Sequence, residues 1–478
     1  MPDTSWWSGA WSTSTQAQVA ERLAKPGFGR WLTQVQQVRR CAHPVRLAGS
    51  THTIDTTTGE ILSSYDTSTD PDGVAYVRCG NRRASVCPSC SHEYKGDVWH
   101  VLMAGAAGGM KDVPETVAAH PIVFATTTAP SFGPVHSAKK PGRPGSRRCT
   151  PSTGDRRQVC PHGRPLWCMS IHDHGDALAG QPLCGDCYDY AGHLVWQWWA
   201  PELWRRFTIA LRRQLARHLG LSETATRQLV RVQFAKVAEF QRRGVIHFHA
   251  LIRLDGQPTD DAYPPPAVQV DSQTLAELVR AAAAQVAFTA PAIDGRDRAR
   301  RLRFGAQIDA RPVTGRADRE THDAELHPET VAAYIAKYAT KAAADLPTDS
   351  DGGNGHLRRL QATLRQLSGR VLIASVTGDQ AHYRGWGRWS DMLGFRGHLA
   401  TKSRRYSTTL GRLRQARRDY TRRTQLLARD TAAEWADQDQ DLGDTTLVIG
   451  SWRFAGRGWL TLGDAALAAA SAARARDD

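Results

Sequence analysis

The sequence predicts an α+β fold, in which helices flank an antiparallel sheet, with cysteine-knuckle insertions and a mixed C-terminal region. Two segments rich in apolar and β-branched residues, 230–240 and 245–254, are separated by a Gln-Arg-Arg-Gly turn, which predicts a β-hairpin. Residues 196–219 have a strongly amphipathic pattern and residues 272–288 are Ala-rich, and each segment predicts a helix. Two Cys-x-x-Cys pairs outside these segments predict loops that are tied down by metal.

The N-terminal segments predict short elements that lead into the first cysteine pair. Residues 12–40 carry a helical pattern that is broken by Pro26 and Gly27. Residues 41–90 have the composition of short strands and turns, and residues 92–107 predict a helix that ends before two glycines.

The remaining segments extend the sheet and its helices. Residues 121–128 and 301–310 predict two further strands, with a loop or insertion rich in Gly, Pro, Ser and Arg over 133–165. A helix is predicted from about residue 329 to residue 344, with Pro328 suited to its first turn. After a linker, basic helical segments precede a late strand pair around Trp452 and Trp459.

The charge of the chain predicts a polyanionic partner. The 478 residues carry a formal net charge of +15, and arginine clusters recur along the chain rather than in one tail. Nucleic acid is therefore the expected partner, and a basic but unrelated surface is the alternative. No apolar run approaches the roughly 20 residues of a membrane span, and the N-terminus lacks a secretory signal. We therefore expect a cytoplasmic protein whose nine cysteines bind metal rather than form disulfides.

The second strand of the hairpin contains a His-Phe-His sequence. Because successive strand side chains point to opposite faces, His247 and His249 project together while Phe248 points into the core. Two imidazoles on one face can hold one metal ion, although histidines are also common as core residues. Glu239 lies across the hairpin from them and completes a three-ligand site, unless it is a solvated strand residue. A second His-x-His, at His172 and His174, lies in a Gly/Asp-rich loop, and we interpret it as structural or incidental.

A two-tyrosine helix is the second candidate for chemistry. Tyr334 and Tyr338 are i, i+4 neighbours on one helix face, as are Lys337 and Lys341. A phenol has an unperturbed pKa of about 10, and a nearby cation favours the nucleophilic phenolate. The alternative is an amphipathic helix with tyrosines against the core and lysines outside.

The cysteines predict two structural zinc sites. Cys87 and Cys90 have Cys79 as a natural third ligand, with Cys41 or His43 as the fourth. The second predicted ligand set is Cys160, Cys168, Cys184 and Cys187. Cys149, His162 and His172 remain spare candidates, and buried thiols without metal are the alternative interpretation of either pair.

A basic and aromatic segment near residue 400 predicts a surface for single-stranded DNA. Its cations would contact the phosphate backbone, and its aromatic side chains would stack on bases. A solvated basic face above core tryptophans is the alternative. The cations are Arg396, Lys402, Arg404 and Arg405, and the aromatic residues are Trp386, Trp389, Phe395 and Tyr406.

Three of these motifs together resemble those of HUH endonucleases, the nickases that start rolling-circle replication. A Thr-rich strand (124–128), the His247-Phe248-His249 sequence and the Tyr-x-x-Lys-Tyr helix (334–338) occur in the order of that family's motifs. Further stretches, from about residue 40 to the end, resemble the replication initiators of actinobacterial plasmids and integrative conjugative elements. They include residues 79–83, 87–90, 184–193, 200–207 and 401–407.

The resemblance implies an HUH-type antiparallel sheet and a specific reaction. Tyr338 or Tyr334 would attack origin DNA that is single-stranded, forming a 5′-phosphotyrosine and a free 3′-OH. In related initiators with one nucleophile, the position of Tyr338 attacks, and we favour it. Mn²⁺ or Mg²⁺ at His247, His249 and Glu239 would polarise the phosphate, with Mn²⁺ better suited to imidazole ligands. Lys337 or Lys341 would offset the negative charge on the phosphate or on the phenolate.

The resemblance also implies a domain organisation and partners. An N-terminal region with a zinc knuckle would span residues 1–118. An HUH nickase domain would span 119–345, interrupted by a zinc insertion at about 145–192, and a basic, DNA-contacting region would span 346–478. The sequence has no helicase-type phosphate-binding motif, so a host helicase and a polymerase are expected partners. The alternatives are a relaxase or transposase of the same chemistry, and a non-catalytic zinc-stabilised DNA-binding regulator.

Overall fold

The computed structural model describes residues 12–137, 148–149, 158–173, 176–258, 263–313, 326–339, 355–376, 382–429 and 446–477. The chain divides into two compact units. The first combines the N-terminal segment up to Lys95 with the C-terminal segment from Leu413, and the second runs from Gly96 to Arg412. The region predicted as one domain from residue 346 to residue 478 is therefore divided between the two units.

The described chain contains both helices and antiparallel strands, which confirms the predicted α+β class. The helices are α1 (Thr13–Ala24), α2 (Phe28–Gln37), α3 (Pro88–Ala107), α4 (Tyr190–His218), α5 (Glu223–Leu229), α6 (Ser272–Gln285), α7 (Pro328–Ala339), α8 (Gly355–Val376), α9 (Leu410–Arg429) and α10 (Leu462–Asp477). The strands are β1 (Val45–Asp55), β2 (Ile61–Asp66), β3 (Ala75–Val77), β4 (Ile122–Thr127), β5 (Arg231–Phe240), β6 (Ile246–Asp255), β7 (Ala287–Ala290), β8 (Arg300–Arg303), β9 (Ile308–Pro312), β10 (Ala400–Lys402) and β11 (Thr446–Arg457).

The first unit is built on a sheet that joins the two ends of the chain. Its strands run in the order β11-β1-β2, and β3 pairs with the start of β1. The predicted late strand pair around Trp452 and Trp459 is wrong, because β11 is one long strand that pairs with β1 over its whole length. A partner strand about 400 residues away leaves no local signal in the sequence.

Aromatic packing and a buried ion-pair network hold this unit together. Trp459 packs on Trp31 and Tyr76, with ring centroids 5.7 and 4.7 Å apart. Arg22 of α1 is buried between two carboxylates, and its nitrogens lie 2.6 Å from Asp464 of α10 and 2.9 Å from Asp72. Both carboxylates are themselves nearly buried, so the charges of this network compensate one another away from water.

The second unit contains the predicted hairpin at the centre of a five-stranded antiparallel sheet. The strand order is β10-β5-β6-β4-β9, which puts β6 in the middle. Strands β5 and β6 are joined by the predicted turn at residues 241–244, and Gly244 adopts a φ of +77° there. Leu357 and Leu393 lie within 3 Å of where a Cβ of residue 244 would stand, so the site requires glycine.

The two faces of this sheet have different roles. On one face, Phe248 of β6 and Phe234 of β5 pack against Trp204 of α4, with centroid distances of 5.5 and 5.4 Å. The opposite face of β5 is covered by α7, and His249 of β6 lies against that helix. The predicted alternation, with Phe248 in the core and both histidines on the other face, therefore holds.

Two predicted elements differ from the structure in their extent. The strand predicted over residues 301–310 is two short strands, β8 and β9, which belong to different sheets. The break lies at Gly305, whose amide donates to the carbonyl of Thr128 at 2.7 Å and where a Cβ would lie 2.5 Å from a backbone oxygen. Helix α4 begins six residues before its predicted start, because the Asp189 side chain accepts from the amide of Gly192 and caps it.

Among the described residues, no helix combines the length and the apolar character that crossing a membrane requires.

Candidate metal and nucleophile site

Three potential metal ligands converge on the outer face of the β5–β6 hairpin. The antiparallel register places Glu239 directly opposite His247, with His249 two residues further along β6. Oε2 of Glu239 lies 2.6 Å from Nε2 of His247 and 2.8 Å from Nε2 of His249. The period of two along one strand and the register across the hairpin thus bring together the three residues that the sequence predicts as ligands.

A neighbouring hydroxyl holds one imidazole in the orientation that a metal ligand needs. Nδ1 of His249 lies 3.0 Å from the hydroxyl of Thr126 on β4, which can accept its proton and leave Nε2 for a metal. Nε2 of both rings is directed at the Glu239 carboxylate. His249 is 3% exposed, whereas His247 and Glu239 are 14% and 17% exposed, so one side of the site is open.

The electrostatics of the site favour an ionised carboxylate beside neutral imidazole. Burial alone would raise the pKa of Glu239, but hydrogen bonds from His247 and His249 outweigh it and lower this pKa to about 2. Burial lowers the pKa of His249, and the Glu239 carboxylate only partly opposes this effect. A carboxylate with neutral imidazoles is the protonation state that binds a divalent cation.

Helix α7 brings both tyrosines against the histidine pair. The ring of Tyr338 stacks on His249 with centroids 5.5 Å apart, and the ring of Tyr334 meets His249 edge-on at 5.3 Å. The two phenol rings lie 5.0 Å apart, and 43% of Tyr334 is exposed to solvent. The predicted i, i+4 face of this helix therefore points toward the candidate ligands and not into the core.

The phenols and lysines of α7 differ in their surroundings. Burial, a hydrogen bond with Tyr334 and the charge of Glu239 all raise the pKa of Tyr338. Because part of this shift comes from a carboxylate, a cation bound to Glu239 would lower the cost of forming the phenolate. Lys337 is an exposed residue of α7, and its role in offsetting charge stays a prediction. Lys341 lies outside the described residues.

The donor set of this site fits a divalent cation with open coordination positions. It offers two nitrogens and one carboxylate oxygen, which is fewer ligands than a divalent cation takes, and His247 and Glu239 are partly exposed to solvent. Two imidazoles suit Mn²⁺ better than Mg²⁺, which prefers all-oxygen ligands.

The first unit contains a group of four cysteines. Its members, which we call the four-cysteine cluster, are Cys41, Cys79, Cys87 and Cys90. The Sγ atoms of Cys41 and Cys87, of Cys79 and Cys90, and of Cys90 and Cys41 lie 3.7 Å apart. Tetrahedral zinc with Zn–S bonds of about 2.3 Å requires a separation of about 3.8 Å. The geometry selects Cys41, and not His43, as the fourth member.

Two mixed clusters in the second unit differ from the single predicted site. The three-cysteine cluster contains Cys160, His162, Cys184 and Cys187, and the two-cysteine cluster contains His136, Cys149, Cys168 and His172. Cys168 therefore belongs to a different group from Cys160, Cys184 and Cys187, and His162 takes its predicted place. All three clusters can hold zinc. None of the nine cysteines, all of which the structure describes, forms a disulfide.

No regular spacing marks the two-cysteine cluster in the sequence. Its four ligands come from residues 136–172, a stretch rich in Gly, Pro and Ser, and the described residues of this stretch belong to no named helix or strand. The interpretation of His172 as structural or incidental rests on surroundings that are rich in Gly and Asp, and its partner in the motif, His174, lies outside the described residues. The one available signal is the count of cysteines, since two four-ligand sites leave Cys149 without a role.

The predicted DNA surface near residue 400 is only partly exposed. Trp386, Phe395 and Tyr406 are buried, so they are core residues and not a platform for bases. Trp389 is partly exposed, and Arg404 and Arg405 are exposed at the surface. The stacking role predicted for these aromatic residues is therefore wrong for three of the four, because their rings fill the core and are not accessible to bases.

Lys402 and Arg396, two of the predicted cations, make contacts that hold the chain around β10. The ammonium of Lys402 donates to the backbone oxygens of Ser403, Arg404 and Ser407, at distances of 2.9–3.3 Å. The guanidinium of Arg396 lies over the rings of two α4 tryptophans, at centroid distances of 4.5 and 5.0 Å. Arg404 and Arg405 are exposed, so they stay the candidates for phosphate contact.

Comparisons with known proteins agree on one family. The sequence model for the replication initiator protein of pSAM2 matches residues 27–473. A replication initiator protein of Streptomyces ambofaciens is 40% identical over 475 residues, which cover 98% of this chain and 94% of that protein. No solved structure gives a significant match.

Proposed function

Since the chain belongs to the family of replication initiator proteins that includes that of pSAM2, we propose that it starts replication by nicking one strand of origin DNA. The nucleophile is a tyrosine of α7, and a divalent cation is held by Glu239, His247 and His249. The activity is that of a site-specific single-strand endonuclease and strand transferase of the HUH class.

The convergence of two kinds of group on one sheet face carries this proposal. Glu239 lies within 2.8 Å of both imidazoles, and two phenol rings lie within about 5.5 Å of the His249 ring. A histidine pair that served only the core would need neither an open side nor two tyrosines at its edge. A set of metal ligands next to a nucleophile suits phosphoryl transfer, because a bound cation and the nucleophile can then act on the same phosphate.

In the proposed reaction the phenol oxygen of Tyr338 attacks the scissile phosphorus. A new phenol O–P bond forms as the bond from phosphorus to the 3′ oxygen breaks, and the proton of the phenol ends on that 3′ oxygen. The products are a 5′-phosphotyrosine and a free 3′-OH that primes synthesis. Glu239, His247 and His249 would hold a divalent cation, which when bound would offset the negative charge of the phosphate. Helix α7 holds the phenol of Tyr338 beside this ligand set.

The second tyrosine gives the site a second acceptor. Tyr334 is more exposed than Tyr338, and the two rings lie 5.0 Å apart, which supports a role for Tyr334 in accepting a DNA end at the close of a replication round. Arg404 and Arg405 are proposed to contact the DNA backbone. A host helicase would open the duplex, and a polymerase would extend the 3′-OH.

A nicking assay tests the proposal. The full chain is incubated with Mn²⁺ and a supercoiled plasmid that carries the DNA flanking its own gene. We expect relaxed circles and a covalent protein–DNA adduct. The double variant Tyr334→Phe/Tyr338→Phe should lose at least about a thousandfold in nicking rate and form no adduct, because it lacks both nucleophiles.

A matched variant separates loss of the nucleophile from loss of a phenol elsewhere. Tyr65→Phe removes a hydroxyl that binds Asp70 in the first unit, and it should nick as the wild type does. An adduct formed by the double variant would refute the tyrosine assignment. Binding without any cleavage by the wild type would favour a zinc-stabilised regulator. Cleavage only at a transfer origin or an element end would identify a relaxase or transposase.

A further inference from the structure

A ligand cluster in the loop-rich segment before α4 has the geometry of a zinc site of its own. In the two-cysteine cluster, Nε2 of His172 lies 3.1 Å from Nδ1 of His136 and 3.3 Å from Sγ of Cys168, and Sγ of Cys149 lies 3.7 Å from Nδ1 of His136. Ligands around one tetrahedral zinc ion are separated by about 3.3–3.8 Å, and each of these three distances lies in or within about 0.2 Å of that range. We propose that this cluster binds a third structural zinc ion and that it fixes the turn of the β5–β6 hairpin.

The donors of this cluster are oriented as zinc ligands usually are. Nδ1 of His172 lies 2.5 Å from a carboxylate oxygen of Asp176, so Nε2 of this ring is left for the metal. The amide of Ser137 donates to Sγ of Cys149 at 3.2 Å, which holds this side chain toward His136. His172 and Cys149 are buried, and His136 and Cys168 are half-buried, so the four ligand atoms meet away from bulk water.

The cysteine inventory independently supports a third site. The four-cysteine, three-cysteine and two-cysteine clusters together contain all nine cysteines of the chain. A chain that uses every thiol in a group of ligand geometry has no cysteine left for another purpose, which is typical of structural zinc.

Two contacts join this cluster to the hairpin turn. Asp176, which orients His172, accepts a hydrogen bond on its backbone oxygen from the guanidinium of Arg242, at 3.1 Å. The backbone of His136 pairs with Gly180 and Gln181, with N···O distances of 2.8 Å. Gly180 adopts a φ of +89° and packs so closely on the turn that a Cβ would lie 2.8 Å from that of Arg242.

The turn held in this way connects the candidate catalytic ligands. Glu239 lies just before residues 241–244, and His247 just after them. Gln197 of α4 also holds the turn, since its amide donates to the oxygen of Gly244 at 2.9 Å. The two-cysteine cluster therefore supports one side of the turn and α4 supports the other. The effect of this support on nicking rests on the proposed function, whereas the zinc content is measured without DNA.

Zinc stoichiometry of the purified full chain tests the site. We expect three zinc ions per chain by elemental analysis, and nine thiols that react only after a chelator is added. Cys168→Ser and Cys187→Ser should each lose one zinc, and the double variant should lose two, because the residues belong to different clusters. His218→Ala, an exposed histidine outside the clusters, should retain three. Two zinc ions in the wild type, or a loss of only one in the double variant, would overturn the proposal.

Orientation and coupling are tested without removing a ligand. Asp176→Asn should weaken zinc binding at this site by about 10–100-fold, measured by chelator competition. Hydrogen exchange of the amides of residues 241–244 should then rise by about tenfold, with the amides of α6 unchanged. Unchanged exchange in the turn after zinc is lost from this cluster would refute the coupling, whatever the nicking activity.

Discussion

The hairpin site and the four-cysteine cluster are both candidate metal sites, but they are built in opposite ways. The hairpin site has three ligands on two adjacent strands, ten residues apart at most, and one side open to solvent. The four-cysteine cluster has ligands that are 49 residues apart at the extremes, and its four sulfurs are a complete ligand set for one tetrahedral ion. An open position is needed for a reacting phosphate, whereas a closed shell ties distant segments together. The hairpin site is therefore suited to catalysis, and the four-cysteine cluster is suited to stabilising the fold.

The largest expected effect comes from opening the four-cysteine cluster. Cys87→Ser/Cys90→Ser should lower the free energy of unfolding by about 5 kcal/mol, a share of the ~10–16 kcal/mol that structural zinc contributes in small domains. Urea denaturation of the full chain, followed by tryptophan fluorescence, measures this loss. A similar loss in a Glu239→Gln variant would erase the contrast between the two sites.

A smaller effect is expected from the hydroxyl that orients His249. Thr126→Val removes the group 3.0 Å from Nδ1 of His249, and Mn²⁺ affinity at the hairpin site should fall by about 10–100-fold. Mn²⁺ titration by electron paramagnetic resonance measures the affinity, and elemental analysis should find the zinc content unchanged. Thr126→Ser keeps the hydroxyl and should restore Mn²⁺ binding. Failure of that rescue would mean that packing, and not orientation, is what Thr126 supplies.

The smallest expected effect concerns Lys236, which lies on the face of β5 opposite to Glu239. Burial lowers the pKa of Lys236 to about 7, and its ammonium lies 4.3 Å from the ring centroid of Phe248. The folded chain therefore binds fewer protons than the unfolded chain between pH 7 and the ordinary lysine pKa of about 10.4. Stability should rise with pH in this window, by about 1 kcal/mol from pH 7 to pH 8.

Lys236→Met tests this titration because it keeps the length of the side chain and removes the charge. The variant should show a flatter dependence of unfolding free energy on pH than the wild type, measured by urea denaturation at matched ionic strength. Equal slopes in the two proteins would show that Lys236 does not titrate in this range.

The hairpin site was predictable because each step in its construction is local. A period of two places His247 and His249 on one face, and the short turn sets Glu239 opposite His247. The face of α7 that carries Tyr334 and Tyr338 follows from helical spacing, but its approach to His249 does not. That contact depends on how α7 packs against β5, which no pattern within either element specifies.

The zinc clusters and the basic surface show where sequence reasoning fails. Cys-x-x-Cys spacing identifies Cys87 with Cys90 and Cys184 with Cys187, but the assignment of Cys168, His136 and His162 depends on the path of irregular loops. The aromatic residues near β10 have the same composition whether they stack on bases or fill the core. Burial alone decides between these roles, and it places Trp386, Phe395 and Tyr406 inside.

The sequence by itself determined the α+β class, the β5–β6 hairpin, the shared face of the two histidines and the helical face of the two tyrosines, because periodicity and turn chemistry act over a few residues. Only the tertiary structure decided that β11 pairs with β1, that the cysteines and histidines form three clusters, and that α7 lies over His249. These outcomes depend on contacts between segments far apart in the chain, where the gain in burial and ligand geometry, and not local preference, selects the partner.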